Sequence, residues 1–597
     1  MTAYTAPTRD MQFVIDELAG LADVAALPTF AEQDINLELV EAVLEEAAKL
    51  AAEVLAPLNH SGDAQGARLV PDQGVIPADG FADAYRSFVA GGWNGVSSPT
   101  EYGGQGLPEL VNTAAQEMWN SANMSFALCP LLNAGAIEAI SQAGSATQKA
   151  LYLPKMISGE WTGTMNLTES QAGSDLSAVR SRAVPEGDHY RLFGQKIFIT
   201  WGEHNMTANT IHLVLARTPN APEGVKGISL FIVPKFLVNP DGSLGARNDV
   251  HAVSIEHKLG IHASPTCVMA FGDGEGAIGE LVGEENQGLA YMFIMMNAAR
   301  FKVGLQGLAI GERAYQAARE YARDRVQGRP IGVRSGDRVT IIHHPDVRRM
   351  LLGMKAQNEA MRALAYVVAA HIDLAHDHPD AAIRQRHQAR VDLLIPVVKG
   401  WCTEIGIEVA SLGVQVHGGM GFIEETGACQ HLRDSRITTI YEGTTGIQAA
   451  DLAGRKLNMD KGAAMQALIA DMETTVGELG QAAGDDLATI QAALSEGVKA
   501  LAGATEWILN SRDPNAVMAV SVDYLMLTGY VCGGWQMARA ALAAQRKLMI
   551  GADPVFHESK LITARYYAEH VLPKAGALLR SVQSGGVSIL AMTEEQF

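Results

Sequence analysis

The sequence predicts a mainly α-helical protein with a central β domain. Apolar residues recur at helical spacing from Leu39 onward. At Trp161 the pattern switches to short β-branched and aromatic runs, and after Gly288 it returns to the helical period. The predicted order is an extension over 1–33, a helical domain over 34–160 and a β domain over 161–282. A helical bundle over 283–458 and an additional C-terminal helical domain over 459–597 complete it.

The extension holds one short amphipathic piece around residues 11–21. Asp34 is placed to cap the first helix, whose apolar positions are Leu39, Val40, Val43, Leu44, Ala47, Leu50, Ala51, Val54 and Leu55. Pro57 is expected to end it. Further helix runs to about residue 158, broken by the turn-rich Ser98-Pro99-Thr100-Glu101-Tyr102-Gly103-Gly104-Gln105-Gly106. Residues 190–200, 210–216, 227–233 and 267–271 read as strands bounded by Gly, Pro, Asn or Asp. Helices at about 289–326, 345–374 and 388–413, with a fourth over 444–457, suggest an antiparallel bundle. Residues 516–544 are the one stretch apolar enough to pose a membrane question; Asp523, Arg539 and Gly533-Gly534 favour a buried bundle helix instead.

Nearly half of the 597 residues are hydrophobic, enough for a large core, and the formal charge is −20. That balance lacks the basic footprint of a nucleic-acid binder, while a local basic pocket for an anion stays compatible with it. Cys129, Cys267, Cys402, Cys429 and Cys532 are dispersed without CxxC or metal-ligand spacing. They are expected to be reduced thiols of a cytoplasmic protein, with no metal site. The first ten residues have neither a cationic n-region nor an apolar h-region, so no signal peptide is expected.

Three Gly-containing segments carry the chemistry. Tyr441-Glu442-Gly443-Thr444-Thr445-Gly446-Ile447-Gln448 puts a carboxylate on a turn that opens a helix, where a base reaches a pocket closed to helix-interior residues. The plain alternative is an acidic residue favoured by the positive end of a helix dipole. Gln415-Val416-His417-Gly418-Gly419-Met420-Gly421-Phe422 is a second Gly-rich turn. In Leu167-Thr168-Glu169-Ser170-Gln171-Ala172-Gly173-Ser174-Asp175, Gly173 permits close approach of a ligand, and Ser174 with neighbouring amides suits a phosphate oxygen. An ordinary polar linker is the alternative there.

Residues 167–175 resemble the flavin-contacting signature of the acyl-CoA dehydrogenases. Residues 415–422 and 441–448 resemble that family's two late signatures, and residues 99–106 and 257–264 resemble further segments, all in the family's order. The resemblance covers roughly 35–455. The start Tyr4-Thr5-Ala6-Pro7 and the added C-terminal region resemble a large bacterial subgroup that includes 3-methylmercaptopropionyl-CoA and broad-chain acyl-CoA dehydrogenases.

The resemblance implies an FAD-dependent enzyme that oxidises an acyl-CoA thioester to the trans-2-enoyl-CoA. Glu442 would remove the α-proton, made a stronger base by a water-poor pocket, while the β-hydrogen passes as hydride to flavin N5. The Glu442 backbone N–H would hold the thioester oxygen. Some relatives carry the base on an earlier helix, just before a pocket Arg; here Asn297-Ala298-Ala299-Arg300 has no carboxylate, which favours Glu442. Ser174, Asn297, Arg300, Tyr441 and Gly443 are the implied substrate contacts, the alternative for Arg300 being a charge on a solvated helix face. Met165, Leu167 and Thr168 match isoalloxazine contacts, Gly173 and Ser174 the pyrophosphate side, and Thr200 a group near N5. Phe198 matches a ring-shielding aromatic that is commonly Trp, with plain strand core as its alternative.

Arg325 matches an arginine that reaches the FAD pyrophosphate of a neighbouring subunit. The usual aromatic-Gly continuation is replaced by Val326-Gln327-Gly328-Arg329 and an insertion up to His344. Gln415, Gly418 and Gly419 match adenosine-side contacts from the partner chain, Thr444 a flavin-pocket hydroxyl, and Gly446 stands where Gln is frequent. Shared FAD implies a homodimer, with the extra domain covering the face that smaller members use to form tetramers. Electron-transferring flavoprotein is the implied acceptor. An acyl-CoA oxidase using O2 is the alternative enzyme. A DNA-associated, non-catalytic flavoprotein of the same fold is disfavoured by Asp471, Glu473, Glu478, Asp485 and Asp486 in the C-terminal region. No strongly basic amphipathic helix suggests membrane attachment there. Acyl chain length stays open.

Overall fold

Two compact units make up the computed structural model: Met1–Ala48, Pro108–Ser121 and Arg300–Phe597 in one, Lys49–Leu107 and Ala122–Ala299 in the other. It describes residues 3–31 and 33–597; Met1, Thr2 and Glu32, which fall in the expected extension, lie outside the described residues.

The second unit is built on an eight-stranded sheet. Its order is Val250–Ile255, Thr266–Phe271, His189–Thr200, Ala277–Val282, Ser229–Pro234, Asn209–Ala216 and Trp161–Asn166, with Arg182–Glu186 also paired to His189–Thr200. Trp161–Asn166 and Asn209–Ala216 run parallel, and the other neighbours are antiparallel. Asn209–Ala216 and Ser229–Pro234 are buried throughout, which explains why apolar residues dominate both instead of alternating with exposed polar ones. The four expected strands are present. Trp161–Asn166, Arg182–Glu186, Val250–Ile255 and Ala277–Val282 were not foreseen, nor was the hairpin Arg68–Val70 with Gly74–Ile76. These are short, and Gly163, Pro185 and Gly279 interrupt their patterns.

In the first unit, Gly288–Asp324 (from Arg300 onward), Pro345–Asp377 and Ala381–His417 form the bundle at close to the expected bounds. A Cβ on Gly307 would lie 2.3 Å from the Cys402 carbonyl oxygen, so glycine lets two of these helices touch backbone to backbone. The N-terminal helix Thr8–Glu17 buries Met11, Phe13, Val14 and Ile15. C-terminal helices cover the bundle: on Ser521–Met549, Gly529 lies so near Trp401 that an added Cβ would meet its ring at 2.1 Å. Residues 516–544 are thus largely a buried bundle helix.

Three expectations need correction. Among the described residues, the helix long and apolar enough to cross a membrane is Glu109–Ala143, not residues 516–544, and its most apolar window is 83% buried. Asn112, Asn120, Asn123 and Asn133 break its apolar appearance in the sequence. At the first helix, Leu37–Lys49, the Leu39 N–H donates to Asn36 Oδ1 at 2.9 Å, while Asp34 sits in a left-handed bend at φ +50°. Nor does Pro57 stop the chain: a wide π turn, Leu50–Leu55, precedes it, and Pro57 opens the next helix, Pro57–Gln65. The wide turn relieves the clash of the prolyl ring with the preceding turn.

Candidate active site

The second unit holds the residues matched to the isoalloxazine ring. Met165 is buried at the end of Trp161–Asn166, and Leu167 and Thr168 follow half-buried. The Ile197 N–H donates to the Thr168 carbonyl at 2.9 Å and Lys196 Nζ to that of Leu167 at 3.0 Å, seating the segment on His189–Thr200. Opposite residues 196–199 the pairing slips by one, a bulge between Cys267 and Met269. Lys196 and Ile199 point into the core, whereas Phe198 takes φ +60° and is 59% exposed. Phe198 is therefore not strand core. Thr200, two residues on, is half-buried on the strand's edge of this outward turn.

Glu169 anchors the loop that follows, and its role was not visible in the motif. Its carboxylate accepts from Lys196 Nζ at 2.8 Å, Ser181 Oγ at 2.7 Å, the Arg180 and Ser181 N–H groups at 2.8 and 3.1 Å, and Gln171 Nε2 at 2.6 Å. Although burial opposes it, Lys196 and these donors hold the carboxyl down at about 2. Gly173 and Ser174 are exposed beyond it, and a Cβ at Gly173 would meet nothing.

The first unit holds the carboxylate. Tyr441, Glu442 and Gly443 form a half-buried bend before the helix Thr445–Ala450. Thr444 Oγ1 accepts from the Ile447 N–H at 3.2 Å as its N-cap and keeps its own hydroxyl proton to donate. Glu442 and Gly443 both have left-handed backbones, φ +55° and +85°. Gln448 Nε2 donates to the carbonyls of both, at 3.2 Å each, and Lys399 Nζ donates to that of Gly443 at 2.6 Å. The Tyr441 hydroxyl donates to Gln306 Oε1. Burial pushes the Glu442 carboxyl up to about 7, against the pull of Arg300 and Lys399. Arg300 is buried, with Nη1 3.7 Å from Asp451 Oδ2, so it is not a charge on a solvated face. Asn297 lies one turn earlier on the same helix, half-buried. Nothing in the sequence pattern marked Lys399, which sits 44 residues before the carbonyl it binds.

A separate group gathers where two bundle helices end. The His417 ring stacks on Tyr321 at 4.4 Å, which sets the exposed Arg325 and the exposed Gln415, Gly418 and Gly419 on adjoining helix ends. A Cβ at Gly418 or Gly419 would meet no atom of the chain. The insertion after Arg325 folds back as a hairpin, with Gln327 and Gly328 bonded to Val339.

These residues fit a flavin dinucleotide: an uncovered aromatic ring beside a strand hydroxyl, open glycines, and an exposed guanidinium suited to phosphate. Gly446 supplies no side chain, so one contact is missing.

Residues 38–160 match the family described as "Acyl-CoA dehydrogenase, N-terminal domain", residues 164–273 its middle domain and residues 286–457 its C-terminal domain. Residues 463–593 match "Acetyl-CoA dehydrogenase C-terminal like". The chain is 51% identical over 590 residues to the 3-methylmercaptopropionyl-CoA dehydrogenase of Ruegeria pomeroyi, covering 98% of this chain and 99% of the relative. It is 35% identical over 610 residues to a butyryl-CoA dehydrogenase of Syntrophomonas wolfei, covering 100% of this chain and 99% of that one. Its fold is similar to that of a Bacillus anthracis acyl-CoA dehydrogenase complexed with FAD, with a TM-score of 0.74 at 21% identity over 97% of this chain and 92% of that one. The chain belongs to the acyl-CoA dehydrogenase family as one of its enzymes, and it carries an additional C-terminal domain after the family's usual three.

Proposed function

We propose that this enzyme dehydrogenates an acyl-CoA thioester between the α- and β-carbons, with Glu442 as the base and FAD as the oxidant. The observation that carries the reading is the Glu442 carboxylate on its left-handed bend, raised by burial to the pH at which a general base works best. Glu442 takes the α-proton as the new double bond forms, and the thioester oxygen is held by the Glu442 N–H. FAD, when bound, accepts the β-hydrogen with its electron pair. Phe198 would cover the ring, Met165, Leu167, Thr168 and Thr200 its edge, and Thr444 a further polar atom. Gly173 and Ser174 would meet the pyrophosphate, and Arg325, Gln415, Gly418 and Gly419 the FAD of a second subunit. The exposed Met420 and Phe422 beside that Gly pair suit burial in such a homodimer. Ser174, Asn297, Arg300, Tyr441 and Gly443 would contact substrate.

The strong likeness to the Ruegeria pomeroyi enzyme makes 3-methylmercaptopropionyl-CoA the first substrate to test, and electron-transferring flavoprotein is the acceptor we propose. Steady-state rates across straight acyl-CoAs of increasing length, with 3-methylmercaptopropionyl-CoA included, test the reading. A best substrate among them is expected; no turnover with any would overturn it.

Two further outcomes are expected. Glu442 must be unprotonated to act, so kcat/KM should rise about tenfold per pH unit below 7 and level off above it. A profile flat from pH 5 to 9 would contradict this. Glu169→Ala leaves Lys196 buried and unpaired and frees the loop of its anchor, at a cost of about 3–5 kcal/mol. The purified variant should carry much less FAD per chain, read from its flavin-to-protein absorbance ratio.

A further inference from the structure

Lys399 is a buried ammonium on Ala381–His417. Its one hydrogen bond at the catalytic bend, 2.6 Å to the Gly443 carbonyl, is also the shortest made to that carbonyl. A left-handed backbone is disfavoured for any residue with a Cβ. Glu442 therefore needs the carbonyls around it fixed, and Gln448 and Lys399 fix them.

The charged and titratable groups that face the carboxylate come from three elements. Arg300 approaches from Gly288–Asp324 and is itself shared with Asp451; Lys399 comes from Ala381–His417; Tyr441 lies on the same bend. Lys399 in turn faces Arg300 and Glu404, and Glu404 is occupied by the Thr445 hydroxyl at 2.6 Å.

We propose that Lys399 is a positioning residue for the proton-abstracting carboxylate: its ammonium anchors the Gly443 carbonyl, and its charge keeps Glu442 anionic. The proposal rests on Glu442 being the base. Burial holds Lys399 down at about 8, against Glu442, so the residue is charged around pH 7, where the acid limb lies. Both effects act through Glu442, and Lys399 touches neither substrate nor cofactor in this account.

The test is kcat/KM against pH for the FAD-loaded wild type, Lys399→Met and Lys399→Arg. In Lys399→Met the acid limb should move up by about one pH unit, because an opposite charge beside the carboxylate is gone. Its rate should then fall about tenfold more at pH 6 than at pH 9, and Lys399→Arg should return the limb toward the wild-type position. An acid limb that stays put in Lys399→Met overturns the proposal, whatever the absolute rate. If the Met variant loses FAD, Lys399→Gln carries the same reading. The wild-type profile separates the two ideas: no limb near 7 in the wild type defeats the Glu442 assignment, whereas a wild-type limb that ignores Lys399 defeats this one alone.

Discussion

Glu442→Gln is expected to lower kcat by about 10²–10⁴-fold while the protein still binds FAD, the range general-base catalysis supplies. The amide keeps the shape and loses the ability to accept the α-proton. Stopped-flow mixing with the best acyl-CoA checks this through the bleaching of the yellow flavin. The same variant should also be the more stable protein at pH 8. The carboxyl titrates near 7 when folded against an ordinary value of 4.5, so its favourable contribution is complete below pH 4.5 and fades as the pH rises through 7. A neutral amide avoids that loss, giving a gain of about 2–3 kcal/mol at pH 8 and none at pH 4. A variant equally destabilised at both pH values would mean that Glu442 is a structural anchor and not a base held ready.

Arg362→Ala is expected to lower stability strongly. Arg362 is buried and pairs with Glu117 at 2.6 Å, Asp10 at 2.5 Å and Glu312 at 3.0 Å. Tyr366 donates to the other oxygen of Glu117 at 2.6 Å. One guanidinium thus ties the N-terminal helix, the first turns of Glu109–Ala143 and two bundle helices through residues that all lie in the first unit. Removing it leaves Glu117 and Glu312 without their cation, while Asp10 keeps Lys560, and costs about 3–5 kcal/mol. Urea unfolding followed by circular dichroism should show an earlier loss of helix by that amount. A change below about 1 kcal/mol would mean that water reaches these carboxylates and compensates them.

What the sequence revealed, and what it withheld, follows from how far apart interacting residues lie in the chain. The bundle helices were legible because apolar residues recur along long stretches free of turn signals, and the strand at 190–200 because its aromatic and β-branched residues are bounded locally by turn residues. The Glu442 bend was legible because its glycine, cap and helix are contiguous. Arg362, Glu169 with Lys196, and Lys399 were not legible, since each answers a partner brought near only by folding. Phe198 lay between the two cases: its residue type fitted the family signature, but its outward turn depends on a bulge set by the neighbouring strand. Pro57 misled for the same reason, because the π turn that accommodates it leaves no composition signal. The homodimer contacts proposed for Arg325 and Gly418 depend on a second copy, so a single chain's periodicity has no bearing on them.

Proton removal can be isolated from oxidation by an acyl-CoA with sulfur in place of its β-carbon, which has an acidic α-position and no β-hydrogen to lose. In D2O, the FAD-loaded wild type should exchange deuterium into that α-position, detected by mass spectrometry of the recovered thioester, and Glu442→Gln should not. Equal exchange by the two proteins, or none by the wild type, would contradict the assignment of Glu442 as the base.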